Sequence, residues 1–304
     1  MSTLELMTLK TVSEVASVYS KSAPDHPLIH IINLSETQVG EEFLNKKICT
    51  HLYGLIMKKG ECAKIRYGRH HYDFSSGVMT AYAPGQVVQV YEAYELGDLE
   101  GWALYFHPDL LLQHPLCEAI KHYGYFSYDV CEALHLSERE QQHLNQVVNE
   151  LKRELQQNLD DFSLDIILSS VDLLLKYTDR YFNRQFLTRR PFQRGHVDRF
   201  VKHLDQRLEA LQTQKSGLPT VAQLASDLNM SANYMSDLLR KETGKSAQEL
   251  IHQQLLEKAK YLLLNTDESV ASIAYQLGFE YPQYFSRLFK QKVLVSPQEC
   301  RKLH

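Results

Sequence analysis

The last third of this 304-residue chain contains one pattern of apolar residues twice. In each copy, small and apolar residues lie at positions i, i+3, i+4 and i+7, which is one face of an α-helix. A turn with Asn229 or Gly278 follows, and these residue types suit the left-handed conformation that ends a helix. A second helical pattern comes after each turn. Because a helix, a tight turn and a second helix make a helix-turn-helix unit, the sequence predicts two such units. Before the turn, the matching residues of the two copies are 49 positions apart in the sequence: Val221, Ala222, Leu224, Ala225 and Leu228 in the first copy, and Val270, Ala271, Ile273, Ala274 and Leu277 in the second. After the turn, the matching residues are 50 positions apart: Tyr234, Met235, Ser236, Leu238 and Leu239 in the first copy, and Tyr284, Phe285, Ser286, Leu288 and Phe289 in the second.

The segment between the two units has the pattern of one continuous helix. Ser246 and Glu249 form a capping-box start, and the helical pattern runs to about Leu264. A helix of this length measures about 28 Å, close to the ~34 Å between successive major-groove faces of B-DNA. The spacing therefore predicts double-stranded DNA as a partner, with the second helix of each unit in adjacent major grooves.

Several short motifs lie in and around the two units: 224–228 (LASDL), 241–246 (KETGKS), 258–263 (KAKYLL), 273–279 (IAYQLGF), 284–290 (YFSRLFK), Ser296-Pro297 and Arg301. With these motifs, residues from about 197 to 302 resemble the DNA-binding domain of the AraC/XylS family of bacterial transcription regulators. The resemblance implies a sequence-specific regulator with no catalytic residues and no cofactor, and it makes RNA polymerase a candidate partner. The chain departs from the family at Ala247, Leu255, Leu294 and Cys300, where Pro, Arg, Gly and an aromatic residue are usual.

The second helix of each unit is expected to present the residues that contact DNA. In the second unit, Phe285, Leu288 and Phe289 of this helix are expected to face the core. Arg287 is the best candidate for a base contact because a guanidinium pairs bidentately with guanine, and Gln283, one turn earlier, suits adenine. Asp237 either accepts a hydrogen bond from cytosine or orients a neighbouring basic side chain. The candidate residues are Asn233, Tyr234, Asp237 and Arg240 on the first such helix and Gln283, Ser286, Arg287 and Lys290 on the second.

The sequence pattern of residues 1–185 predicts a domain of a different class from the helical domain that follows it. Short β-branched and aromatic runs between about 28 and 106, punctuated by glycine turns, indicate an antiparallel β-barrel or sandwich, and helical patterns occupy about 108–185. The region resembles the cupin-like sensor and dimerisation domain of many AraC/XylS regulators. We therefore expect an α+β protein with two domains, in which a linker at 186–196 leads to an all-α domain at 197–304. The helices at 137–185 either cap the barrel or form the interface of a homodimer.

Aromatic residues are dense in the strand-rich region and are candidates to line the pocket of a small-molecule effector. The alternative is that they fill the core of the barrel, which would favour a DNA-binding protein without an effector. The candidate pocket residues are Tyr67, His70, Tyr72, Tyr82, Trp102 and Tyr105.

A metal-dependent cupin enzyme fused to a DNA-binding domain is the rival interpretation. Its ligands would require a His-x-His motif, whereas His70 and His71 are adjacent and so point to opposite faces of a strand. No GxSxG motif indicates a serine nucleophile. The sequence thus predicts no metal site and no catalytic residue.

Charge and cysteine content agree with a DNA-binding protein of the cytoplasm. Residues 186–304 contain 17 Lys and Arg against 12 Asp and Glu, and the rest of the chain contains 16 against 25. A net positive charge in residues 186–304 is expected if only this part of the chain contacts phosphate.

The five cysteines are scattered and odd in number, which favours reduced thiols. No apolar run reaches the ~20 residues that span a bilayer, and residues 1–10 lack the pattern of a signal peptide, so we expect no membrane partner.

Overall fold

The computed structural model describes residues 6–19, 23–37, 46–59, 66–67, 70–71, 77–89, 99–129, 132–158, 160–188, 190–210 and 217–302. The chain divides into two compact units, Met1–Gln185 (unit 1) and Phe186–His304 (unit 2). Within the described ranges, every helix is too short or too polar to cross a membrane.

Unit 1 combines β-strands with helices. Its strands are β1 (Leu6–Leu9), β2 (Ile29–Asn33), β3 (Lys47–Thr50), β4 (Tyr53–Lys59), β5 (Arg66–Tyr67), β6 (His70–His71), β7 (Val78–Tyr82), β8 (Val87–Gln89), β9 (Glu100–Phe106) and β10 (Leu134–His135). Its helices are α1 (Val12–Tyr19), α2 (Leu116–Ala119), α3 (Glu138–Leu155) and α4 (Ser163–Thr188), the last of which ends inside unit 2.

The strands form separate sheets. One sheet has the order β1-β3-β8, with β1 parallel to β3, and a larger antiparallel sheet has the order β10-β7-β4-β9-β2. Strands β5 and β6 pair only with each other among the described strands. A closed barrel has no edge strands, whereas each of these sheets has two. The predicted barrel is therefore wrong for the described part of unit 1, which consists of sheets plus helices.

Both faces of the five-stranded sheet are covered. On one face, Ile32 and Tyr105 pack with α1 and the three-stranded sheet in a single apolar core. On the opposite face, the indole N–H of Trp102 donates a hydrogen bond to Oδ1 of Asn145 in α3, at 2.9 Å. Since neither face is open to solvent there, all five residues of β7 are buried instead of alternating between buried and exposed.

The segment predicted as a linker, 186–196, is helical on both sides of residue 189. Helix α4 continues to Thr188, and the next helix begins at Arg190. The linker was predicted because this stretch, which contains Pro191, lacks apolar periodicity. Pro191 instead lies in the first turn of a helix, where its missing N–H has no hydrogen-bond partner to lose.

The described residues of unit 2 form helices joined by turns, with no strand. Its helices after α4 are α5 (Arg190–Ala210), α6 (Val221–Asp227), α7 (Ala232–Thr243), α8 (Ala247–Asn265), α9 (Val270–Gln276), α10 (Pro282–Val293) and α11 (Pro297–Lys302). The two predicted helix-turn-helix units are confirmed as α6–α7 and α9–α10, and the predicted connecting helix as α8.

Helix α8 is fixed at both ends by side-chain hydrogen bonds. At its start, Ser246 and Glu249 form the predicted capping box. At its end, the guanidinium of Arg301 in α11 donates to the carbonyl oxygens of Leu263, at 3.2 Å, and Glu268. The bond to Leu263 satisfies a carbonyl group that the end of α8 leaves without a partner, and the bond to Glu268 ties α11 to the turn before the second helix-turn-helix unit.

Candidate nucleic-acid interface

The turn inside each helix-turn-helix unit has the same geometry in both copies. Asn229 has φ +54° and Gly278 has φ +86°, which confirms the left-handed residue predicted at each turn. The next backbone N–H then closes the turn, from Met230 to Ala225 O at 2.9 Å and from Phe279 to Ala274 O at 3.0 Å. The two units therefore share one type of turn between their helices, a left-handed residue followed by one closing backbone hydrogen bond.

Helix α10, the second helix of the second unit, separates its apolar and polar residues onto opposite faces. Its buried face is the predicted one and comprises Phe285, Leu288 and Phe289. The predicted DNA-contacting residues lie elsewhere on its surface: Gln283, Arg287 and Lys290 are exposed, and Ser286 is half-buried. The helix carries three basic side chains (Arg287, Lys290 and Lys292) and no acidic one.

Helix α7, at the equivalent position in the first unit, has a different charge. It contains Arg240 and Lys241 but also Asp237 and Glu242, so its formal charge is zero. Asn233 and Arg240 are exposed as predicted, and Asp237 is half-buried. Asp237 occupies the position that Arg287 has in the second unit, 50 residues later.

The prediction that Tyr234 faces outward on α7 is wrong. The side chain is only 5% exposed, and its ring lies 5.1 Å from the ring of Phe186, centroid to centroid. Its counterpart in the repeat, Tyr284, is 46% exposed. The burial of Tyr234 depends on Phe186, which lies in the segment that the sequence predicted as a linker, so no local pattern around Tyr234 indicated it.

Both recognition helices, α7 and α10, end in a left-handed residue. Gly244 has φ +74° and Leu294 has φ +71°, and the N–H of each donates to the carbonyl four residues earlier at 2.9 Å. Helix α10 thus has the same end geometry as α7, although it ends in a leucine where the AraC/XylS pattern usually has a glycine. Leu294 is 83% exposed, so little packing offsets its backbone strain.

Of the residues predicted to line an effector pocket, those whose side chains are described do not surround one common space. Tyr82, Trp102 and Tyr105 are all buried, and Trp102 lies on the opposite face of the five-stranded sheet from the other two. Burial raises the pKa of Tyr82, and the cavity beside it has a volume of about 10 Å³, room for one water molecule. Tyr67 and His70 lie in β5 and β6 with side chains outside the described part, and Tyr72 is outside it altogether.

One buried polar group on this sheet was not predicted from the sequence. His30 of β2 lies directly opposite Tyr105, and its Nε2 atom is buried without a hydrogen-bond partner. Burial lowers the pKa of His30, so the neutral imidazole is favoured. No cluster of three metal-ligating side chains occurs among the described residues.

Comparison with known proteins matches residues 224–303 to a family model described as "Helix-turn-helix domain". The HTH-type transcriptional activator RhaS of Enterobacter sp. (strain 638) is 37% identical over 78 residues, which cover 26% of this chain and 28% of that protein. The regulatory protein PocR of Salmonella typhimurium is also 37% identical over 78 residues, 26% of each chain.

Among solved structures, the C-terminal domain of the two-component response regulator yesN from Fusobacterium nucleatum is 32% identical. It matches 33% of this chain and 95% of its own, with a TM-score of 0.29.

Residues 224–303 therefore form a helix-turn-helix domain, and they are similar to segments of known transcription regulators. The chain spans little more than a quarter of the length of the curated relatives it matches.

The end of α10 yields a stability prediction. Replacing Leu294 with glycine removes left-handed strain of about 1–2 kcal/mol, partly offset by the greater freedom of glycine in the unfolded chain, so we expect a gain of about 1 kcal/mol. Replacing Gly244 with leucine should instead cost about 1–2 kcal/mol. No atom lies within 4 Å of a Cβ built at Gly244, so steric overlap does not contribute.

Urea unfolding of the full chain, followed by circular dichroism at 222 nm, measures both changes. The only tryptophan, Trp102, is buried in unit 1, so its fluorescence serves as an internal control that should not move. A Leu294→Gly variant that is less stable than the parent would contradict the strain at this position.

Proposed function

We propose that this protein is a sequence-specific DNA-binding transcription regulator. One observation carries the proposal: two helix-turn-helix units of matching geometry, joined by one capped helix, each present an exposed polar face on their second helix. The positive charge lies in the same part of the chain, since residues 186–304 have a net charge of +5 and the remainder has −9. Positive charge near the reading helices favours phosphate binding.

The proposed binding mode places α7 and α10 in adjacent major grooves of duplex DNA. The 19 residues of α8 make a helix about 28 Å long, which suits recognition helices about one DNA turn apart. Arg287 reads guanine through O6 and N7, and the amides of Asn233 and Gln283 read adenine. Ser286, Arg240 and Lys290 contact the phosphates around them and fix the register of the protein on DNA.

The two units are proposed to contribute unequally. Helix α10 has a formal charge of +3 and α7 has zero, so most of the salt-dependent attraction to phosphate comes from the second unit. Asp237 on α7 repels phosphate and accepts a hydrogen bond from cytosine N4, or it orients Arg240. The first unit then adds sequence discrimination more than affinity.

The test is an Arg287→Ala variant bound to a DNA site selected by the full chain from a random pool. Loss of a bidentate contact with guanine should weaken binding to that site about 5- to 150-fold, while binding to unrelated duplex changes little. Fluorescence anisotropy at fixed salt measures both affinities. The control is Arg139→Ala, which removes an exposed arginine of α3 in unit 1. Equal affinity of Arg287→Ala and the parent for the selected site would rule out the reading role.

We also propose that unit 1 forms a homodimer through the outer face of α4. Phe162 and Ile166 are 70% and 46% exposed, and Leu173, two turns further on, is 44% exposed. Phe162 immediately precedes α4, and the spacings of four and seven residues put these apolar side chains along one side of the helix. A stripe of this kind is typical of a surface that a second helix covers.

A lysine at this stripe should separate the dimer because it places a charge in an apolar interface. Sedimentation velocity of the full chain at micromolar concentration is expected to show a dimer for the parent and a monomer for Leu173→Lys. Asn149→Lys adds the same charge at an exposed position of α3 and should leave the dimer intact. A dimer of unchanged affinity in Leu173→Lys would place the interface elsewhere.

Three further assignments stay predictions from the sequence: a cupin-like fold for unit 1, its response to a small-molecule effector, and contact with RNA polymerase. The mechanism we propose is that such an effector changes how the dimer presents its recognition helices.

A further inference from the structure

Arg287 is held over an aromatic ring before any DNA is present. Its Cζ atom lies 5.3 Å from the centroid of the Tyr284 ring, a distance at which the guanidinium is attracted to the face of the ring. The two residues are three apart on α10 and so are neighbours on the helix surface. Tyr284 is 46% exposed, which leaves its ring accessible to the arginine.

The Tyr284 ring is itself in contact with the core of unit 2. Its centroid lies 6.1 Å from that of Phe279, which is buried and packs in turn against Phe285 at 5.3 Å. Phe279 follows the left-handed turn directly, and its N–H closes that turn. The Tyr284 ring is therefore packed against a buried side chain of the turn, which restricts its position.

The first unit contains the same tyrosine and uses it differently. Tyr234 is buried against Phe186, and the residue three positions later is Asp237, which a tyrosine ring does not attract. The helix-turn-helix fold consequently does not require an exposed tyrosine at this position. Of the two units, only the second pairs an exposed ring with an arginine.

We propose that Tyr284 is a positioning residue that preorganises Arg287 to read a base. An exposed arginine loses rotamer freedom when it binds, and the ring removes part of that freedom beforehand, so less is lost on the DNA. The positioning role rests on the proposed function, since it requires that Arg287 contacts a base. Tyr284 itself need not touch the DNA.

The experiment is a double-mutant cycle on the full chain with its selected DNA site. Tyr284→Leu removes the aromatic face and keeps an apolar side chain against Phe279, whereas Tyr284→Phe keeps the face and removes the hydroxyl. Tyr284→Leu should weaken specific binding about two- to five-fold, the range for an exposed cation–π contact, and Tyr284→Phe should bind as the parent does. In the Arg287→Ala background, Tyr284→Leu should have no further effect.

Each outcome decides the proposal. An equal loss from Tyr284→Leu in both backgrounds would mean that the tyrosine acts independently of Arg287. A loss in Tyr284→Phe as large as in Tyr284→Leu would mean that the hydroxyl contacts DNA, which also overturns the positioning role. If Arg287→Ala binds the selected site normally, there is no reading role for Tyr284 to support. If no sequence is enriched from the random pool, the proposed function itself fails, and circular dichroism melting shows whether any variant is simply misfolded.

Discussion

The reading surface depends on one constraint, the tight turn between the two helices of each helix-turn-helix unit. A single left-handed residue, Asn229 or Gly278, reverses the chain, and one backbone hydrogen bond closes the turn. The apolar face of the second helix then packs against the first, and its polar face is left outside. A residue that disfavoured the left-handed conformation would change the angle of the recognition helix, and every proposed base contact would move with it.

What the sequence predicted well was local. The turn residues, the capping box at Ser246 and the buried face of α10 follow from helical periodicity and from conformational preferences within a few residues. What it missed depends on contacts between distant parts of the chain. Tyr234 is buried because Phe186 packs on it, and the barrel failed because strand pairing is non-local. The pocket prediction failed at Trp102 because composition does not tell which face of a sheet a residue occupies.

The two recognition helices share a fold and differ in chemistry. The repeat fixes the same backbone in both units, so charge and side-chain packing make the difference between them. Helix α10 combines a positive charge with an arginine already held on a ring. Helix α7 is neutral and has an aspartate in place of that arginine. On this account, the second unit supplies affinity and one firm base contact, and the first unit restricts which neighbouring sequence is accepted.

The most direct test of the account is a hydroxyl-radical footprint of the full chain on its selected DNA site. Two recognition helices in adjacent major grooves should protect two patches on the same face of the duplex, with centres about 10 base pairs apart. Methylation of guanine N7 should interfere with binding in the patch covered by α10, where Arg287 is proposed to read O6 and N7. A single protected patch, or two patches on opposite faces of the duplex, would contradict the account.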